Sequence, residues 1–185
     1  MCRVASRHLR VFRRAPLSTI ALLLGGCLAS LPPRAEQATQ TIFDPTKFFA
    51  GHTRGEGTLD FRFGADRTLR VEGSGRMEAD DRFRLDQAIT FGDRSVETRV
   101  WILQRVDATH FTATLSDAKG TVQAETHGAR FHLRYLLRHP AVYMEQWLTL
   151  NADGRTVDNQ AQVTVFGVPW ARLSETITRI DAPLP

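Results

Sequence analysis

Cysteine is scarce in this sequence: there are two, Cys2 and Cys27. The long segment beyond Cys27 therefore has no pair from which to close an internal disulfide, and it must be held by packing. Clustered positive charge is missing as well. Of the 24 lysines and arginines, five (Arg3, Arg7, Arg10, Arg13 and Arg14) stand in the first 26 residues, which contain no Asp or Glu. That leaves 19 basic against 20 acidic residues, a segment near neutrality at −1, although the whole chain carries +4 and has a pI near 9.7. Nucleic-acid binding needs clustered Lys and Arg that displace counter-ions from phosphates. No basic run or stripe follows residue 26, so nucleic acid is excluded as a partner.

Catalytic and metal-binding patterns are equally thin. No two of His52, His110, His127, His132 and His139 have a zinc or metalloprotease spacing. Gly73-Ser74-Gly75 lacks the Gly-x-Ser-x-Gly elbow that would expose a nucleophile, and reads instead as a bend or bulge within a strand. Asp80-Asp81 and Asp117 read as turn acids, and Asp153-Gly154 as a hairpin signal. No metal, cofactor or catalytic residue is assigned, and an enzyme is the least supported class.

What is present begins with an export leader. A basic stretch from Arg3 to Arg14 precedes the apolar segment Pro16 to Leu24, and small residues follow; that order is what a translocon and its peptidase require. The apolar run falls short of the ~20 residues that span a bilayer. Leu24-Gly25-Gly26-Cys27 resembles the bacterial lipobox. By that resemblance Cys27 takes a diacylglycerol, cleavage follows Gly26, and the new amine is open to acylation. Each buried methylene adds about 0.8 kcal/mol of membrane affinity, and lasting attachment takes more than one chain. Leu28, rather than Asp, follows the cysteine, which by the enterobacterial sorting rule favours the outer membrane, facing the periplasm.

The chain thus divides into a leader at 1–26, a lipidated cysteine with a tether at 27–41, and one folded domain at 42–181. The tether has no sustained period and two prolines, and extends at most ~45 Å at ~3.3 Å per residue. In Phe43-Asp44-Pro45-Thr46-Lys47-Phe48-Phe49-Ala50-Gly51, Asp44 suits a helix N-cap, Pro45 the first helical position and Gly51 the stop, which predicts one short helix. Apolar residues then alternate along Gly57–Phe63, Leu69–Met77, Phe83–Phe91, Ser95–Val106, Thr109–Leu115, Thr121–Glu125, Arg130–Leu137, Val142–Leu150, Val157–Phe166 and Trp170–Ile180, with turn residues between them. About ten short strands joined by tight turns predict an all-β antiparallel meander. Such a meander can form a sandwich or a closed barrel; closure into an up-and-down barrel removes its edges and is the expectation, with the helix stoppering one end.

Phe43-Asp-Pro-Thr-Lys-Phe-Phe-Ala-Gly51, Leu85, Arg99-Val-Trp101, Asp117-Ala-Lys-Gly-Thr121, Tyr135, Gln146-Trp147-Leu148, Asn159-Gln-Ala161 and Phe166-Gly167, in this order and spacing, resemble a family of lipocalin-like bacterial lipoproteins classed as a domain of unknown function. The resemblance covers residue 42 onward. It implies a calycin-type barrel on a periplasmic lipid anchor, with no established activity, in a family often encoded beside enzymes that modify membrane fatty acyl chains. Two departures stand out: Gln87 and Gln146 occupy positions where the family carries acids. If those acids pair with an arginine such as Arg99, neutral amides replace both charges here.

Arg99 and Trp101 share one strand face by the two-residue period, and Tyr135, Gln146, Trp147 and Asn159 are expected to join them around a ligand-sized hollow. An inward arginine would suit a fatty acid carboxylate or a lipid phosphate. The bland alternative is that both tryptophans pack and Arg99 meets solvent or a neighbouring acid. The leading expectation is a membrane-anchored, non-catalytic protein that binds or carries a small apolar ligand such as a fatty acyl chain or lipid. Its rivals are an accessory protein whose solid barrel docks on a lipid-modifying envelope enzyme, and a lipid-active enzyme.

Overall fold

The structure, a computed structural model, describes residues 42–137 and 141–181. The expected leader, Cys27, the tether and His139 lie outside the described residues.

The ten strands run β1 Gly51–Phe61, β2 Arg67–Met77, β3 Arg82–Phe91, β4 Val96–Arg105, β5 His110–Leu115, β6 Val122–His127, β7 Arg130–Leu136, β8 Val142–Leu150, β9 Thr156–Val165 and β10 Val168–Ile180. Each pairs antiparallel with the next, and β10 returns to β1, with His52 opposite Ile180 and Phe61 opposite Ala171. The result is a closed, lipocalin-like barrel with no free edge among the described residues. Its cause is the alternation: on β7, for instance, Phe131, Leu133 and Tyr135 are buried while Arg130 and Arg134 are exposed.

Acids close several hairpins. The Asp107 carboxylate accepts the backbone N–H groups of Thr109 and His110, both at 2.8 Å. Asp153 does the same for Arg155 and Thr156, and Asp93 for Ser95. These bonds satisfy turn amides that no strand reaches, and they hold all three carboxyls below the usual carboxylate range.

A one-turn helix, α1 at Pro45–Phe48, seals one end. Asp44 caps it by accepting from the Thr46 amide at 3.1 Å, and Arg105 reaches the same carboxylate at 2.8 Å. The segment is pinned from both sides: the Phe43 N–H donates to the Gly128 carbonyl in the turn after β6 and its carbonyl accepts from the Thr126 hydroxyl of β6, while Arg179 of β10 donates to the Lys47 carbonyl. Phe43 stacks edge-on against Phe48 and Phe131, and Phe131 against Phe111, so the plug end is a solid aromatic layer.

Two expectations need correction. The first strand begins at Gly51, not Gly57, because Gly51–Gly57 pairs with β2 throughout and with β10 from His52 onward, despite its three glycines. Gly73-Ser74-Gly75 is neither bend nor bulge, since β2 and β3 pair through it without a register shift. Its glycines serve close approach: a Cβ on Gly75 would strike the Phe49 carbonyl, and one on Gly73 the Thr53 hydroxyl. Glycine there makes room for the plug.

Candidate functional site

Above the aromatic layer the barrel is hollow. A cavity of about 290 Å³ runs from Phe49 and Phe83 at the plug to Arg67, Phe91 and Glu97 at the mouth. Its wall is mainly aliphatic and aromatic, and a few polar side chains enter it from the inward phase of β3, β4, β8, β9 and β10.

Arg99 and Trp101 come from β4 and Gln87 from β3, where Gln87 pairs with Arg99 across the strands. The Trp101 indole N–H donates to Gln87 Oε1 at 2.9 Å, so this amide serves as the tryptophan's acceptor. Arg99 reaches out of the cavity wall to Asp117, with Nη2 to Oδ2 at 2.7 Å. Asp117 is therefore more than a turn acid, because it neutralises the interior guanidinium. Arg99 Nε and Asp117 Oδ1 are both buried and have no partner among the described residues.

Asn159 of β9 and Glu175 of β10 face each other across the strands. Asn159 Nδ2 donates to Glu175 Oε2 at 2.9 Å, while Asn159 Oδ1, in a side chain only 4% exposed, has no partner. Burial pushes the Glu175 carboxyl above its ordinary value, against the opposing pull of the Asn159 bond and the Arg99 charge. The acid is accommodated by absence opposite it: a Cβ on Gly55 would fall on the Glu175 carboxylate, and one on Gly57 on the β10 backbone.

Gln146 lines the cavity from β8 and accepts weakly from the Tyr135 hydroxyl at 3.4 Å, which also points at Met144 Sδ. Tyr135 packs edge-on against Trp101 at 5.7 Å but sits behind the cavity wall. Burial raises its phenol well above the ordinary value.

Of the residues singled out from the sequence, Arg99, Trp101, Gln146 and Asn159 meet in one cavity wall. Trp147 does not. It lies on the outer face, stacked on His132 at 5.3 Å, and His132 in turn contacts Glu145 at 2.9 Å. Consecutive strand residues point to opposite faces, so Gln146 and Trp147 cannot both enter the barrel. Glu175 went unnoticed although a signal existed: it occupies the inward phase between Leu173 and Ile177, with glycines opposite it on β1. No group of His, Cys, Asp and Glu suited to a metal occurs among the described residues, and no helix among them is long and apolar enough to cross a membrane.

Residues 21–179 match a family model described as a protein of unknown function, DUF3833. Among solved structures the chain is similar to an S-type phycobiliprotein lyase, CPES, from Guillardia theta, at 10% sequence identity and a TM-score of 0.59, over 74% of this chain and 93% of that one. That likeness is one of barrel architecture. No curated protein matches the chain.

Proposed function

We propose that this chain, which belongs to the DUF3833 family of proteins of unknown function, binds and carries a small apolar ligand such as a fatty acyl chain or lipid. The observation that carries this reading is the cavity of about 290 Å³ inside a closed barrel, with an apolar wall and a few buried polar groups. Pockets near ~300 Å³ with convergent polar groups suit small ligands. Burial of the ligand's chain would supply ~25 cal/mol for each Å² removed from water. A barrel of similar architecture in a phycobiliprotein lyase agrees with use of the fold for small molecules. The mouth carries the exposed side chains of Phe63, Phe166 and Trp170, an apolar edge over which a lipid can pass with little contact with bulk water.

Attachment to a membrane through a lipidated Cys27, on the periplasmic side and at the outer membrane, completes the proposal. Its support is the lipobox-like Leu24-Gly25-Gly26-Cys27. A Cys27→Ser chain is expected in the soluble fraction of the envelope, with wild type in the membrane fraction; equal partitioning would end this half of the reading.

The ligand-binding half is tested by titrating the folded domain with N-phenyl-1-naphthylamine, a neutral apolar fluorophore. One saturable site is expected, lost when Ala113→Phe fills the cavity while the β-sheet circular dichroism persists. A folded wild-type domain with no saturable uptake would favour the rival, an accessory barrel docking on a lipid-modifying enzyme through that apolar rim.

A further inference from the structure

The polar groups of the cavity do not form an anion site. Two cations line it, and each is already opposed by an acid outside the wall: Arg67 by Asp93 at 3.0 Å, and Arg99 by Asp117 at 2.7 Å. Arg67 is further committed, donating to Ser95 and lying over the Phe91 ring at 3.9 Å. The wall itself adds two acids, Glu97 and Glu175, with no further cation among the described lining residues. An ionised fatty acid entering this space would meet cations already paired and two further acids, and would lose its hydration without gaining a free counter-ion.

Two buried groups of the lining residues lack a partner, Arg99 Nε, whose guanidinium already holds Asp117, and Asn159 Oδ1, so the unmet capacity among the uncharged groups is that of an acceptor. Asn159 has given its N–H group to Glu175, and its carbonyl oxygen is shut from solvent without a donor. Such an orphan costs free energy when empty and discriminates sharply between ligands that carry a donor and those that do not.

Resting on the reading that the cavity holds an apolar ligand, we infer that this ligand has an uncharged, hydrogen-bond-donating head, as in a long-chain alcohol or a monoacylglycerol, placed at Asn159 Oδ1. A hydroxyl supplies the missing donor. It gives its proton to the Asn159 oxygen, beside the carboxyl group of Glu175 that already holds the Asn159 amide N–H. Asp117 then acts as the counter-charge that keeps Arg99 from recruiting anions.

The test displaces N-phenyl-1-naphthylamine from the wild-type domain near pH 8 with dodecanol, monododecanoylglycerol, dodecanoate or dodecylamine, all below their aggregation limits. The two neutral compounds are expected to compete at least about tenfold more strongly than dodecanoate, a difference of ~1.4 kcal/mol. In Asp117→Asn, which frees the Arg99 charge without changing shape, dodecanoate is expected to gain several-fold while dodecanol stays within about twofold. Dodecanoate or dodecylamine competing as well as dodecanol in wild type would overturn the inference while leaving the cavity a ligand site. A dye that never binds wild type overturns the parent reading instead.

Discussion

Glu175 sets the energetic character of the barrel interior at the scale of single residues. Its carboxyl is 7% exposed and raised above its ordinary value, chiefly by burial. A raised acid favours the folded state while protonated, and that contribution is fully present below the ordinary carboxyl value of 4.5. It is lost as pH climbs through the elevated folded value. Glu175→Gln keeps an acceptor for Asn159 without a charge, so its melting temperature is expected to exceed wild type near pH 8, with the gap closing near pH 4. Equal pH profiles would show that the acid is hydrated. Gly55 is the partner of this arrangement, and Gly55→Ala should cost about 1–3 kcal/mol by overpacking. Because the clash is with the Glu175 side chain, a double-mutant cycle with Glu175→Ala should recover much of that loss; additive losses in chemical denaturation would place the clash elsewhere.

Two elements, the plug and the β9–β10 hairpin, invite separate tests. For the Asp44 carboxyl, burial pushes upward, but the Thr46 bonds and the Arg105 charge prevail and hold it below its ordinary value. The stability it lends is therefore present at neutral pH and fades as pH falls through that lowered value. Asp44→Ala removes the cap and is expected to cost about 1 kcal/mol, read as a shifted urea midpoint with unchanged slope. At the other end Phe166 is 80% exposed and holds φ +51°, in the left-handed region where a bulky side chain is disfavoured. Phe166→Asn should stabilise the hairpin by roughly 0.5–1 kcal/mol. A lower melting temperature would mean that the aromatic ring contributes to packing within the domain.

For the whole molecule, the seam between β1 and β10 dominates, since it joins residues as far apart in the chain as His52 and Ile180. Closing so long a loop delays the contacts that compensate for it. Refolding is therefore expected in milliseconds to seconds, rather than the microseconds of small helical domains, and stopped-flow fluorescence of Trp101 would measure it. A microsecond phase that recovers the full signal would contradict a seam formed late.

The sequence by itself determined the strands and their meander order, and favoured closure over a sandwich. Alternating burial, turn acids and a capped Asp44-Pro45 start are local properties, readable wherever a two-residue period separates inside from outside, as on β5 and β7. It also placed Arg99, Trp101, Gln146 and Asn159 on the inward phase. Tertiary structure alone decided what these residues meet, because partners across a barrel are set by register and closure rather than by spacing. Register between neighbouring strands brought Asp117 to Arg99, put Gln87 under Trp101 and turned Trp147 outward beside His132, and closure along β1 and β10 set Glu175 over the glycines of β1. The hollow belongs to that second group: whether ten inward faces fill a cylinder or leave about 290 Å³ depends on how side chains from opposite walls interdigitate.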